Sequence, residues 1–183
     1  MNLEGKRFVI FGLQGSGKTV LAKHILRQYP KHLVYDTLNE YHNFNRYIPS
    51  HRQYSAEAIA EINTVIKKLV IPRRPSIFVI DEANRFCPNR RPLPEQISKL
   101  NDFNRHYGIG FGVIARRPAQ LHTDLTELAH YIFVFKLKGL NDIKYLNGLV
   151  YGLGDAVMNL EPYHFALVDE NREVKICSPI PLR

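Results

Sequence analysis

Short apolar runs alternating with helical-period stretches predict most of this chain's elements. Phe8-Val9-Ile10-Phe11 is too short for a helix and rich in β-branched and aromatic residues, so Lys6 to Phe11 predicts a first strand. Gly17 to about Tyr29 has a helical period, and Pro30 stops it. His32 to Asp36 predicts a second strand ending in a carboxylate, and the polar stretch from Thr37 to Arg52, rich in Asn, Tyr and His, predicts a loop. Ser55 is the N-cap of a helix whose apolar face is Ala58, Ile59, Ile62, Val65, Ile66 and Leu69, and Arg73-Arg74-Pro75 breaks away from it. A buried strand at Ser76 to Ile80, a loop from Ala83 to Pro94, a helix at Glu95 to His106 and a strand at Gly108 to Ala115 follow.

After Pro118 the pattern weakens to a short helix around Asp124 to Ala129, then a fifth strand at Tyr131 to Leu137 and a helix at Asn141 to Val150. Gly152 to Pro162 predicts a connection, and Tyr163 to Asp169 with Glu173 to Cys177 predicts a terminal β-hairpin around Glu170-Asn171-Arg172. This alternation predicts an α/β fold with a mostly parallel sheet covered on both faces and ligand at the carboxyl ends of the strands.

A chain of 183 residues predicts one domain, spanning 1–183. Twenty-five Lys and Arg against 17 Asp and Glu give a formal charge of +8, which favours a polyanionic partner or an anionic surface. Cys87 and Cys177 lack companions at metal or redox spacing, which predicts reduced thiols. No apolar run approaches the roughly 18 to 20 residues that span a bilayer, and no signal peptide is legible. The expectation is a chain that does not span a membrane and works in the cytoplasm of its host.

The first strand runs into Gly12-Leu13-Gln14-Gly15-Ser16-Gly17-Lys18-Thr19, and these residues with Val20 are the expected nucleotide-binding set. This is a P-loop: glycines let successive N–H groups face a phosphate chain, Lys18 reaches the β- and γ-phosphates, and the Thr19 hydroxyl binds Mg²⁺. The expected ligands are therefore ATP and Mg²⁺. Ile77 to Ile80 ends in Asp81-Glu82, a Walker B pair in which Asp81 serves the metal shell and Glu82 polarises a water for attack on the γ-phosphate. That glutamate favours hydrolysis over phosphate transfer to a hydroxyl, so a small nucleotide kinase ranks lower.

Three further motifs carry a resemblance. Asp36-Thr37-Leu38-Asn39-Glu40-Tyr41 is similar to the aspartate-to-glutamate-tyrosine motif of HerA-type ATPases. Arg105-His106-Tyr107-Gly108-Ile109, a strand, and Ala115-Arg116-Arg117-Pro118 resemble the arginine, glycine, strand and T-Q-R-P succession of the FtsK/HerA superfamily. The resemblance covers roughly residues 6 to 136 and implies a RecA/ASCE-like P-loop NTPase of three αβα layers. It also implies a ring, usually hexameric, that moves double-stranded DNA, and within the superfamily the chain resembles the genome-packaging ATPases of tailless, membrane-containing viruses. Such a motor would dock on a capsid or membrane vertex protein. A HerA-like cellular or conjugative translocase and a zonula occludens toxin-like phage assembly ATPase are the alternatives.

By position, the resemblance makes Arg105 a finger reaching into the neighbouring subunit's nucleotide. Arg116 replaces the family's glutamine, either as a second phosphate contact in cis or with the sensor elsewhere. Glu40 either assists water positioning or links nucleotide state to a subunit contact. Arg85, Arg90 and Arg91, with Arg73 and Arg74, are candidates for a basic loop that tracks DNA phosphates, although a charge run is more often a solvated surface.

Overall fold

The computed structural model describes residues 1–181. In chain order the elements are β1 (Arg7–Phe11), α1 (Lys18–Leu26), β2 (His32–Tyr35), β3 (Arg46–Tyr47), α2 (Ala56–Val65), α3 (Ile71–Arg73), β4 (Ile77–Ile80), α4 (Glu95–Tyr107) and β5 (Gly110–Ala115). They continue with α5 (Thr123–Glu127), β6 (Tyr131–Phe135), α6 (Leu140–Leu149), α7 (Leu153–Met158), β7 (Phe165–Val168) and β8 (Val174–Cys177). The strands form one sheet in the order β3-β2-β4-β5-β1-β6-β7-β8. Pairing is parallel from β3 to β6, while β7 and β8 run antiparallel as the expected hairpin. This is the P-loop NTPase arrangement of three αβα layers.

Strand alternation divides the core between the two faces. Phe8, Ile10, Ile77 and Val79 pack with Leu21, Ile25 and Leu26 of α1. Val9, Phe11, Phe78 and Ile80 pack on the other face against α2, α4 and the later helices. Ser55 caps α2, its Oγ accepting from Ala58 N at 3.1 Å. The helix runs on through a π turn at Ile66–Val70 into α3, and Ile59 and Leu69 are only half-buried beside its fully buried residues.

Three expectations are corrected. The segment from Thr37 to Arg52 contains β3, which makes Tyr131–Phe135 the sixth strand. Its two residues show no apolar periodicity; it is held by pairing to β2, an Arg46–Asp36 ion pair at 2.8 Å and stacking of Tyr47 on Tyr35. The connection from Gly152 to Pro162 contains α7, whose glycines read as turn signals; Gly154 is there because a Cβ would strike the Ile143 carbonyl of α6. Helix α1 stops at Leu26, short of Tyr29.

Gly112, in the middle of β5, lies under the Phe8 ring, where a Cβ would collide with three ring atoms. Gly112→Ala is expected to cost about 1–3 kcal/mol by overpacking, read as a lower denaturation midpoint in urea.

Candidate nucleotide site at the carboxyl edge of the sheet

The loop after β1 turns back on itself because its glycines allow it. Gly17 sits at φ 108°, a left-handed backbone, and a Cβ on Gly12 would press on the Ser16 hydroxyl and lie 2.8 Å from Phe135 Cβ. Gly12 N donates to Ala115 O at 3.3 Å, tying the loop to the end of β5. Leu13, Gln14 and Gly15 form the exposed crest, Ser16 and Gly17 are half-buried, and Lys18 and Thr19 open α1 with Val20 behind them. Lys18 is buried and its Nζ donates to Leu13 O at 2.9 Å. Burial lowers its pKa, with Glu82 and Asp81 opposing the shift.

Asp36 brings a further carboxylate to this loop. It is fully buried at the end of β2 and accepts from Glu40 N (2.9 Å), Tyr41 N (3.0 Å) and Arg46 Nη1 (2.8 Å). The resulting turn carries Glu40 to the P-loop, where Oε2 accepts from Thr19 Oγ1 at 3.0 Å. Thr37, next in the chain, donates its hydroxyl to Asp81 O at 2.7 Å and braces the end of β4.

Asp81 is 3% exposed and its Oδ2 has no hydrogen-bond partner. Burial, and after it the charges of Glu82, Glu40 and Asp36, push its carboxyl up to about 7. Glu82 is also buried and adopts a left-handed backbone, φ 52° and ψ 41°, a strained conformation for a non-glycine residue. Arg116 leaves the end of β5 and places Nε 3.1 Å from Glu82 Oε1 and 2.9 Å from Oε2, while Arg85 Nε approaches Oε2 at 3.7 Å. The glutamine position of the sequence motif thus holds a cation aimed at the Walker B glutamate.

The structure therefore brings Gly12 to Val20, Glu40, Asp81, Glu82 and Arg116 to one edge of the sheet. Arg105 is elsewhere. It is exposed on the last turn of α4, with its Cα 3.8 Å from where a Cβ on Gly5 would sit, so it flanks the start of β1. The P-loop leaves the other end of that strand, roughly 16 Å away at about 3.3 Å per residue.

Arg117 Nε bonds Asp142 Oδ2 of α6 at 2.8 Å and so fixes the turn after β5. Arg73 and Arg74 precede β4 at the far edge, apart from the arginines that follow it. Of those, Arg85 is engaged with Glu82 and the Arg52 carbonyl, and Arg91 lies over the Tyr54 ring at 5.9 Å. Arg90 lines a hollow of about 760 Å³ with Asn84, Asn89, Gln120, Asn141 and Lys144. Cys87 and Cys177 are unpaired thiols, and burial pushes the Cys87 thiol up.

Sequence reasoning missed what closes the P-loop cavity, of about 480 Å³: Phe135 of β6, Tyr163 before β7, and Pro179 and Ile180 after β8. No spacing signal links these positions to residue 17, because only the folded sheet brings β6 and the hairpin beside β1.

Residues 8–136 match the family described as ATPase family associated with various cellular activities (AAA). The chain belongs to the AAA family. This AAA chain is a P-loop ATPase with an ATP-binding fold, and it resembles FtsK/HerA-type ATPases. A probable DNA double-strand break repair helicase HerA from Methanocaldococcus jannaschii is 24% identical over 138 residues, 74% of this chain and 26% of that protein. The AAA chain thus spans about a quarter of the relative's length. The genome packaging NTPase B204 of Sulfolobus turreted icosahedral virus 2, solved with ATP-gammaS, shares 19% identity at a TM-score of 0.81, over 99% of this chain and 100% of that one. The N-terminal domain of zonular occludens toxin from Neisseria meningitidis aligns over 97% and 95% of the two chains, with 15% identity and a TM-score of 0.58.

Proposed function

We propose that the chain is one ATPase domain, residues 1–183, that assembles into a ring and moves double-stranded DNA as a viral genome-packaging motor. The observation that carries this reading is the division of the site. Lys18, Thr19, Asp81 and Glu82 meet at one edge of the sheet, while Arg105 stands exposed at the other, so only a second copy can bring that guanidinium to the phosphates. The DNA substrate is supported by the charge of +8 and by what HerA and the packaging NTPase are named for.

The donor set fits Mg²⁺. Thr19 offers a hydroxyl and Asp81 a buried carboxylate oxygen without a partner, hard oxygen ligands whose surplus negative charge a divalent cation relieves. Mg²⁺ keeps few protein ligands beside substrate phosphates, so a hydroxyl and one carboxylate are enough for it. Thr19 and Asp81 would hold the ion, which when bound neutralises charge on the β- and γ-phosphate oxygens.

The remaining work falls to the chain's own groups. Backbone N–H groups of Gly12 to Thr19 cradle the phosphates, and Lys18 moves from Leu13 O to the β- and γ-oxygens. Glu82 orients and polarises the attacking water. Arg116 holds that carboxylate in place and can exchange it for the γ-phosphate, coupling water positioning to the nucleotide. Arg105 of the adjacent subunit stabilises the charge of the transition state. In the host cytoplasm the ring would act at a capsid or membrane vertex protein; among the described residues no helix is long and apolar enough to cross a membrane.

The deciding measurement is the steady-state ATPase rate with and without linear double-stranded DNA at two salt concentrations, with Glu82→Gln as control. A stimulated rate that weakens with salt and vanishes in the variant is expected; a Glu82-dependent rate indifferent to DNA would overturn DNA translocation. Arg90 and Lys144 line one hollow, and in this reading they would track phosphates without reading bases. The Arg90→Ala, Lys144→Ala double variant is expected to flatten the dependence of log K on log salt by about 1.8, at about 0.9 per lost phosphate contact.

A further inference from the structure

The cavity over the P-loop has two chemically different ends. Gly15 to Thr19 and Glu40 line one, which the phosphates require; Val20, Phe135, Tyr163, Pro179 and Ile180 line the other, and all of these are apolar or aromatic. Phe135 is a fixed floor. It is 2% exposed, its ring packs at a 44° tilt against Phe165 with 5.3 Å between centroids, and its edge lies 3.1 Å from where a Cβ on Gly17 would sit. Tyr163 is a free wall. The residue is 57% exposed beside the cavity, and its backbone is left-handed at φ 63°, unusual for a bulky residue. Strained backbone of this kind concentrates at ligand-clamping positions. Pro179 and Ile180 approach from the segment after β8.

The polar side chains of the cavity lie at its phosphate end: Lys18 bonds Leu13 O, Thr19 bonds Glu40, and the Ser16 hydroxyl is buried there without a partner. Among the described lining residues of the apolar end, the Tyr163 hydroxyl is the only side-chain group able to hydrogen-bond a base edge. Every base has a π face for an aromatic ring, whereas strong discrimination between bases requires buried donors and acceptors matched to one of them.

We infer that this apolar end is the nucleobase subsite, that Tyr163 over the Phe135 floor holds the base by stacking, and that the enzyme accepts adenine and guanine nucleoside triphosphates with little discrimination. The inference rests on reading the P-loop as the triphosphate site. It makes Tyr163 a determinant of nucleotide affinity, contributed by a segment that follows the whole of the family-matched region.

The test uses the full chain, with ATP, GTP and inorganic tripolyphosphate as probes. Wild type is expected to give kcat/KM values for ATP and GTP within about tenfold of each other. Tyr163→Ala should raise KM for both nucleotides by roughly tenfold or more, in line with base–aromatic stacking elsewhere, with a smaller change in kcat. Tyr163→Phe should restore KM to within about threefold. Tripolyphosphate, which has no base, should compete with ATP equally well against wild type and Tyr163→Ala. A GTP preference or rejection beyond about a thousandfold would overturn the permissive base site, since only matched polar groups give that ratio. An unchanged KM in Tyr163→Ala with tripolyphosphate still competing would overturn the stacking role alone. Failure of tripolyphosphate to compete with ATP in wild type would instead overturn the P-loop reading beneath both. Circular dichroism of Tyr163→Ala should match wild type, because the residue is exposed.

Discussion

Glu82→Gln is expected to slow ATP hydrolysis by at least about a hundredfold while leaving ATP binding close to wild type. The substitution keeps the volume of a side chain that is only 4% exposed, so the left-handed turn after β4 has no new space to fill. What it removes is the charge that orients and polarises the water, a positioned general-base effect worth roughly 10² to 10⁴ in rate. It also removes the ionic partner of Arg116, whose Nε lies 2.9 Å from the carboxylate. Arg116 is then free to stay with the γ-phosphate, which favours retained binding. Calorimetric titration with ATP beside a phosphate-release assay separates the two effects. A variant rate within fivefold of wild type would move the water-positioning role to Glu40, the carboxylate already bonded to Thr19.

The second large effect is expected at a residue that touches nothing in its own site. Arg105→Ala should lower the rate of the assembled protein by roughly 10³ to 10⁵, the range seen for arginine fingers in other P-loop enzymes. Arg105 is exposed, so its loss should alter folding stability by no more than about 0.5 kcal/mol, and the rate change reports catalysis. Mixing makes the assignment directional. Neither Arg105→Ala nor Lys18→Ala subunits should turn over alone, yet a one-to-one mixture should regain activity. Where the finger of a Lys18→Ala subunit meets the P-loop of an Arg105→Ala subunit, the interface is intact, and random head-to-tail assembly makes about a quarter of interfaces so. A mixture as inactive as its parts, or an Arg105→Ala protein as fast as wild type, would remove the finger.

The parts of this site that were legible in the sequence are those whose chemistry is local. A P-loop and an apolar strand ending in two carboxylates are each specified within a dozen residues, because backbone conformation and metal chemistry fix the residue types in order. Arg116 was legible as a position, through spacing about a strand, but not as a contact, while the finger role proposed for Arg105 lies outside this site and rests on the mixing experiment. The ion pair from Arg116 to Glu82 joins the ends of two adjacent strands, and nothing in either segment names the other. Tyr163 and Phe135 were illegible as site residues, since pairing of β6 with both β1 and β7 sets them beside Gly17. The missed elements have the same origin. Two residues of β3 cannot show periodicity, and α7 carries glycine where α6 crowds it, so tertiary contact overrode a local turn signal.

Asp36 gives the edge of the sheet an unexpected relation to chemistry at its centre. One buried carboxylate receives the amides that turn Glu40 toward Thr19 and the guanidinium that pins Arg46 in β3. Fraying of that outermost strand and withdrawal of Glu40 are expected to be coupled, since both lean on this one carboxylate besides their own pairing contacts. Amide protons from residue 40 to 47 should exchange as one cooperative unit, well below the global unfolding energy, and slow together when nucleotide fills the site. The smallest strand in the protein becomes, in hydrogen-exchange terms, a remote gauge of what the P-loop holds.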